Sequence, residues 1–285
     1  MIPREFEYFD PECLDDAVGL LAQYGDDAKL MAGGQSLLPM MKLRVVSPPV
    51  VVDLWRVPDL AYVKEEGDTI CIGALTTHYQ LETSSAIQAK LAPLAAAAKV
   101  VGDPLVRNLG TIGGSAAHAA HNADYPAVLV SLGAKLVLTG PKGKRTVAAD
   151  AFFEDMFTTV LSPDEILTEI RVPAQRPGVS GAYLKLSRRG TDFALVGVAA
   201  SVELGESGTC AGASIVLAGV GAVPVRVLEA ESLLQGKRPT QELMAEAALV
   251  AARDLDPPSD VQADAQYRRD VAEVFVRRAL AACLT

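Results

Sequence analysis

The amino-acid sequence predicts an α+β protein of more than one domain. The chain has 285 residues, half of them hydrophobic, which is enough to build more than one core. Residues 1–57 read as a strand–helix–strand unit, residues 58–175 mix helices with turn-connected strands, and residues 176–285 place strands before helices. Strands that are separated along the chain from a block of helices are typical of α+β domains.

Residues 1–57 predict a compact β–α–β unit. Asp10-Pro11 combines an N-cap residue with a proline suited to the first helical position, and Gly25 is a typical helix end. Between them, apolar residues recur at helical spacing. The other elements predicted here are a strand over 28–32, a short helix over 37–42 and a strand over 50–54. The unit ends at Pro58.

Residues 58–175 predict a second unit. Gly67-Asp68 is a typical hairpin turn, and Thr76-Thr77 provides an N-cap for a helix that runs toward Glu82. A second helix begins at Asp124-Tyr125-Pro126. The remaining predicted elements are strands over 61–64, 69–73, 135–139, 145–148 and 165–172, and a mostly helical stretch over 86–101 that is interrupted at Pro93.

Residues 176–285 predict a third domain of antiparallel sheet plus helices. The stretch 173–181 contains two prolines and two glycines, so we expect a linker there. The elements predicted beyond it are strands over 182–187, 194–204 and 212–218, followed by helices over 227–234, 241–252 and 261–284.

Composition excludes several classes of function. The net charge is −9 and the basic residues are scattered, which argues against binding to nucleic acid or to anionic lipid. The four cysteines lie far apart, so neighbouring positions do not supply the ligands of an iron–sulfur cluster or a structural zinc. No secretory signal and no stretch long enough to span a bilayer is visible. We therefore expect a cytoplasmic protein without a transmembrane segment.

Two short glycine-rich segments carry the strongest functional signal. The first glycine segment is Ala32-Gly33-Gly34-Gln35-Ser36, and the second is Thr111-Ile112-Gly113-Gly114-Ser115. A glycine pair lets the backbone approach a ligand closely and turn N–H groups toward an anion such as phosphate. Either segment alone is equally well explained as a turn. Together they predict that a diphosphate is held from both sides, and hence a dinucleotide cofactor.

Other candidate sites are weaker. The stretch 219–224 resembles half of a dinucleotide-binding fingerprint, but Pro224 stands in place of the third glycine. His118 and His121 lie three residues apart and need a third metal ligand, for which Asp124 is the nearest candidate; a structural or pocket-lining role is the better interpretation. We predict no metal site and no catalytic acid, base or nucleophile on this chain. A bound cofactor is then expected to supply the chemistry.

The two glycine segments resemble the two FAD loops of molybdenum hydroxylase flavoproteins. These are the medium subunits of carbon monoxide dehydrogenase-type enzymes and the FAD domain of the xanthine dehydrogenase family. The resemblance continues through most of the chain and in the same order. It includes Asp124-Tyr125-Pro126, Glu165-Ile166-Leu167, the stretch 183–189 and the stretch 218–226.

The resemblance implies a two-subdomain PCMH-type FAD-binding fold, residues 1–57 and 58–175, followed by a C-terminal domain, residues 176–285. It implies that both glycine segments hold the FAD diphosphate and the adjoining ribityl and ribose groups. It also implies that Asp124, Leu167 and Lys185 contact the cofactor. We hypothesise that the charge of Lys185 favours the anionic reduced flavin; the alternative is an exposed surface lysine.

The resemblance further implies an oxidoreductase complex. The molybdenum cofactor would lie on a large partner subunit and the [2Fe-2S] clusters on a small one, and the assembly would be a dimer of heterotrimers. Electrons would pass from the clusters through FAD on this chain to an external acceptor. Two alternatives stay open at the level of sequence: a self-sufficient FAD-dependent oxidoreductase, and a non-catalytic nucleotide-binding assembly subunit.

Overall fold

The computed structural model describes residues 2–284 and confirms the α+β class. These residues form sheets of three, five and four strands, together with a two-stranded hairpin. Helices cover the sheets and connect their strands. No helix within 2–284 is both long and apolar enough to cross a bilayer.

The first sheet has three parallel strands in the order β1-β3-β2. Its core is built from helix residues Ala17, Val18 and Leu21 against Val50 and Val52 of the central strand. The elements are β1 (Glu7–Phe9), α1 (Leu14–Tyr24), β2 (Ala28–Met31), α2 (Leu37–Lys42) and β3 (Val50–Asp53).

The start of α1 differs from the prediction. Asp10-Pro11 lies before the helix, and the N-cap is Cys13, whose thiol accepts a hydrogen bond from the Asp16 amide at 3.4 Å. The end at Gly25 is as predicted. β1 was absent from the prediction because its three residues pair only with β3, more than forty positions away.

The second sheet is antiparallel, in the order β4-β5-β10-β6-β7. One face carries the largest core of the chain, in which Ile70, Ile72, Leu136, Leu138 and Ile170 pack on the helices. The strands are β4 (Val63–Glu66), β5 (Thr69–Gly73), β6 (Lys135–Gly140), β7 (Gly143–Ala148) and β10 (Ile166–Pro173), with the separate hairpin β8 (Phe153–Asp155) and β9 (Thr158–Thr159).

Six helices lie between β5 and β6. They are α3 (His78–Thr83), α4 (Ser85–Lys90), α5 (Ala92–Val100), α6 (Pro104–Leu109), α7 (Ile112–His118) and α8 (Asp124–Ser131). The predicted helix over 86–101 breaks at Leu91, where φ is −140°, while Pro93 lies within the first turn of α5. The second glycine segment, expected as a loop, is the N-cap and first turns of α7.

The third sheet is antiparallel, in the order β11-β12-β13-β14. Its central strand β12 is buried on both faces, because Val198 and Ala200 join the core that packs on α11 while Ala199 joins the core around α8. The elements are β11 (Val179–Leu186), β12 (Val196–Leu204), β13 (Cys210–Ala218), β14 (Val225–Arg226), α9 (Leu228–Leu234), α10 (Gln241–Arg253) and α11 (Ala265–Ala282). This sheet therefore connects the preceding helices to the C-terminal ones.

Candidate cofactor-binding site

The two glycine segments lie against each other although about eighty residues separate them in sequence. A Cβ atom added to Gly33 would lie 1.9 Å from the Leu109 carbonyl oxygen and 2.8 Å from the Gly110 Cα. A Cβ on Gly114 would lie 3.5 Å from the Cβ of Ala32. The close approach at Gly33 is open only to glycine, because the opposing atoms are backbone and cannot rotate away. The fold thus packs the first segment on the backbone directly before the second segment, with Ala32 close to Gly114.

The first glycine segment offers amide donors. It connects the end of β2 to the start of α2, and Gly34 has a φ of +68°, which a glycine adopts without strain. Within residues 2–284, the N–H groups of Gly33, Gly34, Gln35 and Ser36 have no protein acceptor. Ser36 lies at the N-cap of α2, and its hydroxyl does not cap the helix. Four adjacent free donors form a site suited to an anion.

The side chain of Gln35 stabilises the first glycine segment and is not directed toward a ligand. Its side-chain amide donates to the Gly33 carbonyl oxygen at 3.0 Å. That hydrogen bond turns the side chain back onto its own segment. The sequence does not predict this orientation, because it depends on the turn at Gly34.

The second glycine segment uses its amides differently from the prediction. The Ile112 N–H donates to the Thr76 carbonyl and the Gly113 N–H to the Ala74 carbonyl, at 3.1 and 2.9 Å. The remaining two donate to Thr111, Gly114 to its hydroxyl at 3.0 Å and Ser115 to its carbonyl at 3.0 Å. These donors are satisfied within the protein. The expectation that both segments present amides to a ligand is therefore wrong for the second one.

What the second segment supplies is a close-packed wall and hydroxyl groups. A Cβ on Gly113 would lie 2.5 Å from the Ala74 Cβ and 2.6 Å from the Ala74 carbonyl oxygen, so only glycine lets α7 lie this close to the end of β5. Ile112 is fully buried beneath it. Ser115 is half-buried on the first turns of α7.

Asp124 and Lys185 form a buried ion pair. Asp124 begins α8, and Lys185 lies on β11, which places the ammonium 3.2 Å from the carboxylate. Their side chains are only 4% and 5% exposed, so the alternative of a surface lysine is wrong. Lys185 also donates to the Asp192 carbonyl oxygen at 3.1 Å. Because Asp124 neutralises it, the lysine contributes little net charge to its surroundings.

Tyr183 is a member of this site that the sequence did not point to. Its hydroxyl donates to Asp124 Oδ1 at 2.6 Å, and the ring is almost fully buried. A Cβ on Gly197 would lie 2.6 Å from the Tyr183 hydroxyl oxygen, so the glycine on the neighbouring strand leaves the space for it. The available signal was the spacing of 183 and 185, since alternate residues of a strand point to one face.

The pKa of Asp124 follows from these contacts. Burial raises the pKa of this carboxyl, and the charge of Lys185 together with the hydroxyl of Tyr183 opposes the rise. The pair and its hydroxyl donor thus hold a carboxylate at a place from which water is largely excluded.

Leu167 is a buried core residue, as Ile112 is. It is 5% exposed, belongs to the core of the second sheet and pairs with Leu138 across β6. Its neighbour Thr168 accepts a hydrogen bond from the Ala74 amide at 3.0 Å, and Ala74 is the residue on which Gly113 packs. The structure therefore places Leu167 behind the second glycine segment.

Among the residues that the structure describes, the three histidines are wholly or partly buried and are not grouped with other metal-ligating side chains. His78 is buried under Gly110, and its Nδ1 is 3.0 Å from the Tyr125 hydroxyl. Burial lowers the pKa of His78 to about 4, and the positive charge of Arg107 acts in the same direction. Burial also lowers the pKa values of His118 and His121. Within 2–284, no three His, Cys, Asp or Glu side chains are grouped to hold a metal ion.

A cavity of about 360 Å³ lies elsewhere, between the N-terminus of α1 and the outer face of the second sheet. Its polar lining includes Tyr62, Lys144, Glu169 and Arg171. None of the residues predicted to contact the cofactor lines it. We therefore assign the candidate site to the glycine segments and the Asp124–Lys185 pair, which combine anion donors with buried polar groups.

The residues present fit an FAD molecule. The free amides suit its diphosphate, the hydroxyls of Ser36 and Ser115 suit its polyol groups, and the glycine-lined surface leaves room for backbone contact. This fit rests on donors and space that the protein itself leaves without another use.

Comparisons with known proteins agree with this chemistry. Residues 4–175 match the FAD binding domain in molybdopterin dehydrogenase, and residues 181–283 match the CO dehydrogenase flavoprotein C-terminal domain. The chain is 45% identical over 281 residues to the carbon monoxide dehydrogenase medium chain of Hydrogenophaga pseudoflava, covering 98% of this chain and 97% of that protein. It is 39% identical over 284 residues to the 6-hydroxypseudooxynicotine dehydrogenase complex subunit alpha of Paenarthrobacter nicotinovorans, covering 100% and 96%.

The fold shows the same relationship. The structure of carbon monoxide dehydrogenase from Hydrogenophaga pseudoflava, in a form that lacks the Mo-pyranopterin moiety of the molybdenum cofactor, superposes with a TM-score of 0.97 at 44% identity. The match covers 100% of this chain and 99% of that one. The expectations of an FAD cofactor and of an oxidoreductase are confirmed. The chain belongs to the family of FAD-binding medium subunits of molybdenum hydroxylases.

Proposed function

We propose that this chain is the FAD-carrying subunit of a molybdenum hydroxylase complex and that the two glycine segments hold the FAD. The observation that carries the proposal is the contact of Gly33 with Leu109 at the end of α6, which brings four free amide donors to the backbone directly before the second glycine segment. Bound there, FAD would supply the redox chemistry for relaying electrons from [2Fe-2S] clusters on a partner chain to an external acceptor.

The residues of this chain bind and orient the cofactor. The amides of residues 33–36 hold the diphosphate, and the Ser36 and Ser115 hydroxyls bind adjoining ribityl and ribose groups. Ala32, Thr111, Ile112, Gly113 and Gly114 shape the surface, and Gln35 fixes the loop through Gly33. Leu167 supports the wall from behind.

The Asp124–Lys185 pair contacts the cofactor as a preorganised polar unit. Its two charges lie within 3.2 Å and are both more than nine-tenths buried, so a ligand meets fixed dipoles and little water. Tyr183 keeps the carboxylate oriented. We infer that the pair acts through directed hydrogen bonds more than through a net positive charge, which revises the hypothesis drawn from Lys185 alone.

We propose that the partners are a large subunit with the molybdenum cofactor and a small subunit with [2Fe-2S] clusters, assembled as a dimer of heterotrimers in the cytoplasm. The relatives are named as a medium chain and as a subunit of a complex, which supports a heteromeric assembly. The three domains proposed are residues 1–57, 58–175 and 176–285. Each of them contains one of the three larger sheets, which supports this division.

The match along the whole chain favours this function over the two alternatives. A self-sufficient oxidoreductase would need its own substrate-binding acid or base, and the charged groups of the site are already paired with each other. A non-catalytic assembly subunit would leave the four free amides of residues 33–36 without a ligand.

The experiment that tests the site compares Asp124→Asn, Lys185→Met and the double variant in the complex purified with its partner chains. We expect each single variant to weaken FAD binding at least tenfold, measured as the Kd for rebinding after FAD removal. We expect the double variant to resemble the singles, because removing either partner already breaks the unit. Lys90→Met is the matched control, since Lys90 is paired with Glu65 at the surface.

Unchanged FAD affinity in both single variants would contradict the assignment of the pair. Equal loss in Lys90→Met would show that the effect comes from removal of any paired lysine.

A further inference from the structure

Arg268 on α11 is a buried cation whose partners lie outside its own helix. Its side chain is 1% exposed, and one terminal nitrogen donates to the carbonyl oxygens of Leu195 at 2.5 Å and Gly219 at 3.3 Å. The other donates to Asp260 Oδ2 at 2.8 Å. Burying a guanidinium costs several kcal/mol unless its donors are well paired. An apolar side chain would fill the space at lower cost, so the contacts require an explanation.

The carbonyl acceptor Gly219 connects Arg268 to the turn that precedes Asp124. Gly219 directly follows β13 and has a φ of +78°, and its N–H donates to the His121 carbonyl oxygen at 2.9 Å. His121 lies three residues before Asp124. Arg268 therefore binds the carbonyl oxygen of Gly219, and the amide of the same glycine binds the turn before Asp124.

The other carbonyl acceptor, Leu195, directly precedes β12 and supports the same turn. Ala194, the residue before it, donates its N–H to the Asn122 carbonyl oxygen at 3.2 Å. Asn122 lies two residues before Asp124. The two carbonyls bound by Arg268 thus belong to two separate supports of the backbone that leads into Asp124.

The segment 187–195 also contributes to Lys185 directly. This segment connects β11 to β12, and the Asp192 carbonyl oxygen accepts from the Lys185 ammonium at 3.1 Å. Arg268 binds the last residue of the same segment, Leu195. One guanidinium therefore fixes the end of the segment that supplies an acceptor to Lys185.

We propose that Arg268 is a positioning residue that couples the C-terminal helix to the cofactor site. It acts through Leu195 and Gly219 and sets the place of the Asp124–Lys185 pair without touching the cofactor. The inference rests on the proposed function, in which this pair contacts FAD. It predicts that FAD affinity depends on a residue in the C-terminal domain.

The test uses Arg268→Met and Arg268→Lys in the complex, with Glu231→Gln as the matched control. Glu231 is also a buried charge of the C-terminal domain, paired with Arg226, but it supports α9 and β13 away from the turn before Asp124. We expect Arg268→Met to raise the FAD Kd at least tenfold and Arg268→Lys to raise it two- to fivefold, because lysine keeps the charge without the fork.

A second readout separates positioning from activity. Hydrogen–deuterium exchange without FAD is expected to rise in peptides covering 116–124 and 187–195 of Arg268→Met, and to stay unchanged there in Glu231→Gln. If Arg268→Met does not accumulate as folded protein, Arg268→Lys and Asp260→Asn carry the test, each with a two- to fivefold weaker FAD affinity.

Three outcomes overturn the inference or its basis. If Glu231→Gln raises the Kd as much as Arg268→Met, the effect is general destabilisation. If Lys185→Met weakens FAD binding while all variants at 268 and 260 bind it normally, the role of Arg268 is wrong and the proposed site stands. If Lys185→Met also binds FAD normally, the proposed site itself is wrong.

Discussion

Replacing Gly33 by alanine tests the contact on which the site depends. The new Cβ would lie 1.9 Å from the Leu109 carbonyl oxygen, and ordinary van der Waals contact begins at 3.4 Å, so the segments must separate by about 1.5 Å. Both sides of the contact are backbone, and no rotamer change relieves it. Overpacking of this kind costs about 1–3 kcal/mol of folding free energy.

The effect on FAD binding is expected to exceed the effect on stability. A shift of this size moves the amides of the first glycine segment beyond hydrogen-bonding distance from a ligand held by the second. Losing two charge-assisted hydrogen bonds, each worth about 1.5–3 kcal/mol, weakens binding by at least about 100-fold. The assay is FAD content per chain and Kd for rebinding, alongside urea unfolding of the same preparation.

Gly19→Ala is the matched control. Gly19 lies within α1, and a Cβ added there would have no neighbouring atom within 4 Å. Alanine at this position therefore stabilises the helix by about 0.5–1 kcal/mol and leaves FAD binding unchanged. A folded Gly33→Ala protein that retains FAD at the affinity of the parent would refute the reasoning about the joined segments.

Three further predictions concern buried polar groups. The pKa of His78 is about 4 in the folded chain against 6.5 in the unfolded chain, so the neutral buried imidazole destabilises the fold as pH falls below 6.5. Between pH 7 and pH 5, the free energy of unfolding measured in urea should fall by about 2 kcal/mol more in the parent than in His78→Asn. Arg145 lowers the pKa of Glu165 to about 2. Glu165→Gln should therefore lower the free energy of unfolding by about 1–2 kcal/mol at pH 7, allowing for solvent screening of the exposed arginine. The difference in stability between parent and variant should shrink as pH falls from 4.5 toward 2. An unchanged gap between pH 7 and pH 3 would contradict this. Tyr183→Phe removes the donor to Asp124 and should cost about 1.5–3 kcal/mol in urea unfolding; no loss would show that the hydroxyl is dispensable.

Much of the fold follows from local sequence patterns. The helical spacing within α1, the turn at Gly67-Asp68 and the N-cap at Thr77 all appear where the pattern predicts them. The fold class is confirmed for the same reason, since each pattern reports on a few neighbouring residues. β1 was not predicted, because a three-residue strand has too little local signal and depends on its distant partner.

The second glycine segment shows where local reasoning fails. A glycine pair predicts a loop, yet the Thr111 hydroxyl caps a helix there and the Ala74 carbonyl accepts the Gly113 amide. Both effects favour helix, and the second depends on tertiary contact. The pattern still indicated correctly that the backbone must approach something closely, but for Gly113 that neighbour is the protein itself.

The polar part of the site was only partly predictable. Asp124 and Lys185 were identified through family resemblance, but their pairing required the fold, because about sixty residues separate them. Tyr183 was missed because its role depends on the space left by Gly197 on the adjacent strand. The roles of the thirteen predicted site residues stay predictions until binding is measured.

The most direct test of the central claim is the FAD, iron and molybdenum content of the complex purified with its native partner chains. We expect flavin absorption bands with one FAD per copy of this chain, in stable association with iron and molybdenum. We also expect the Gly33→Ala complex to keep the metals and lose the FAD. An intact parent complex that contains iron and molybdenum but no FAD would contradict the assignment of this chain as the flavin carrier.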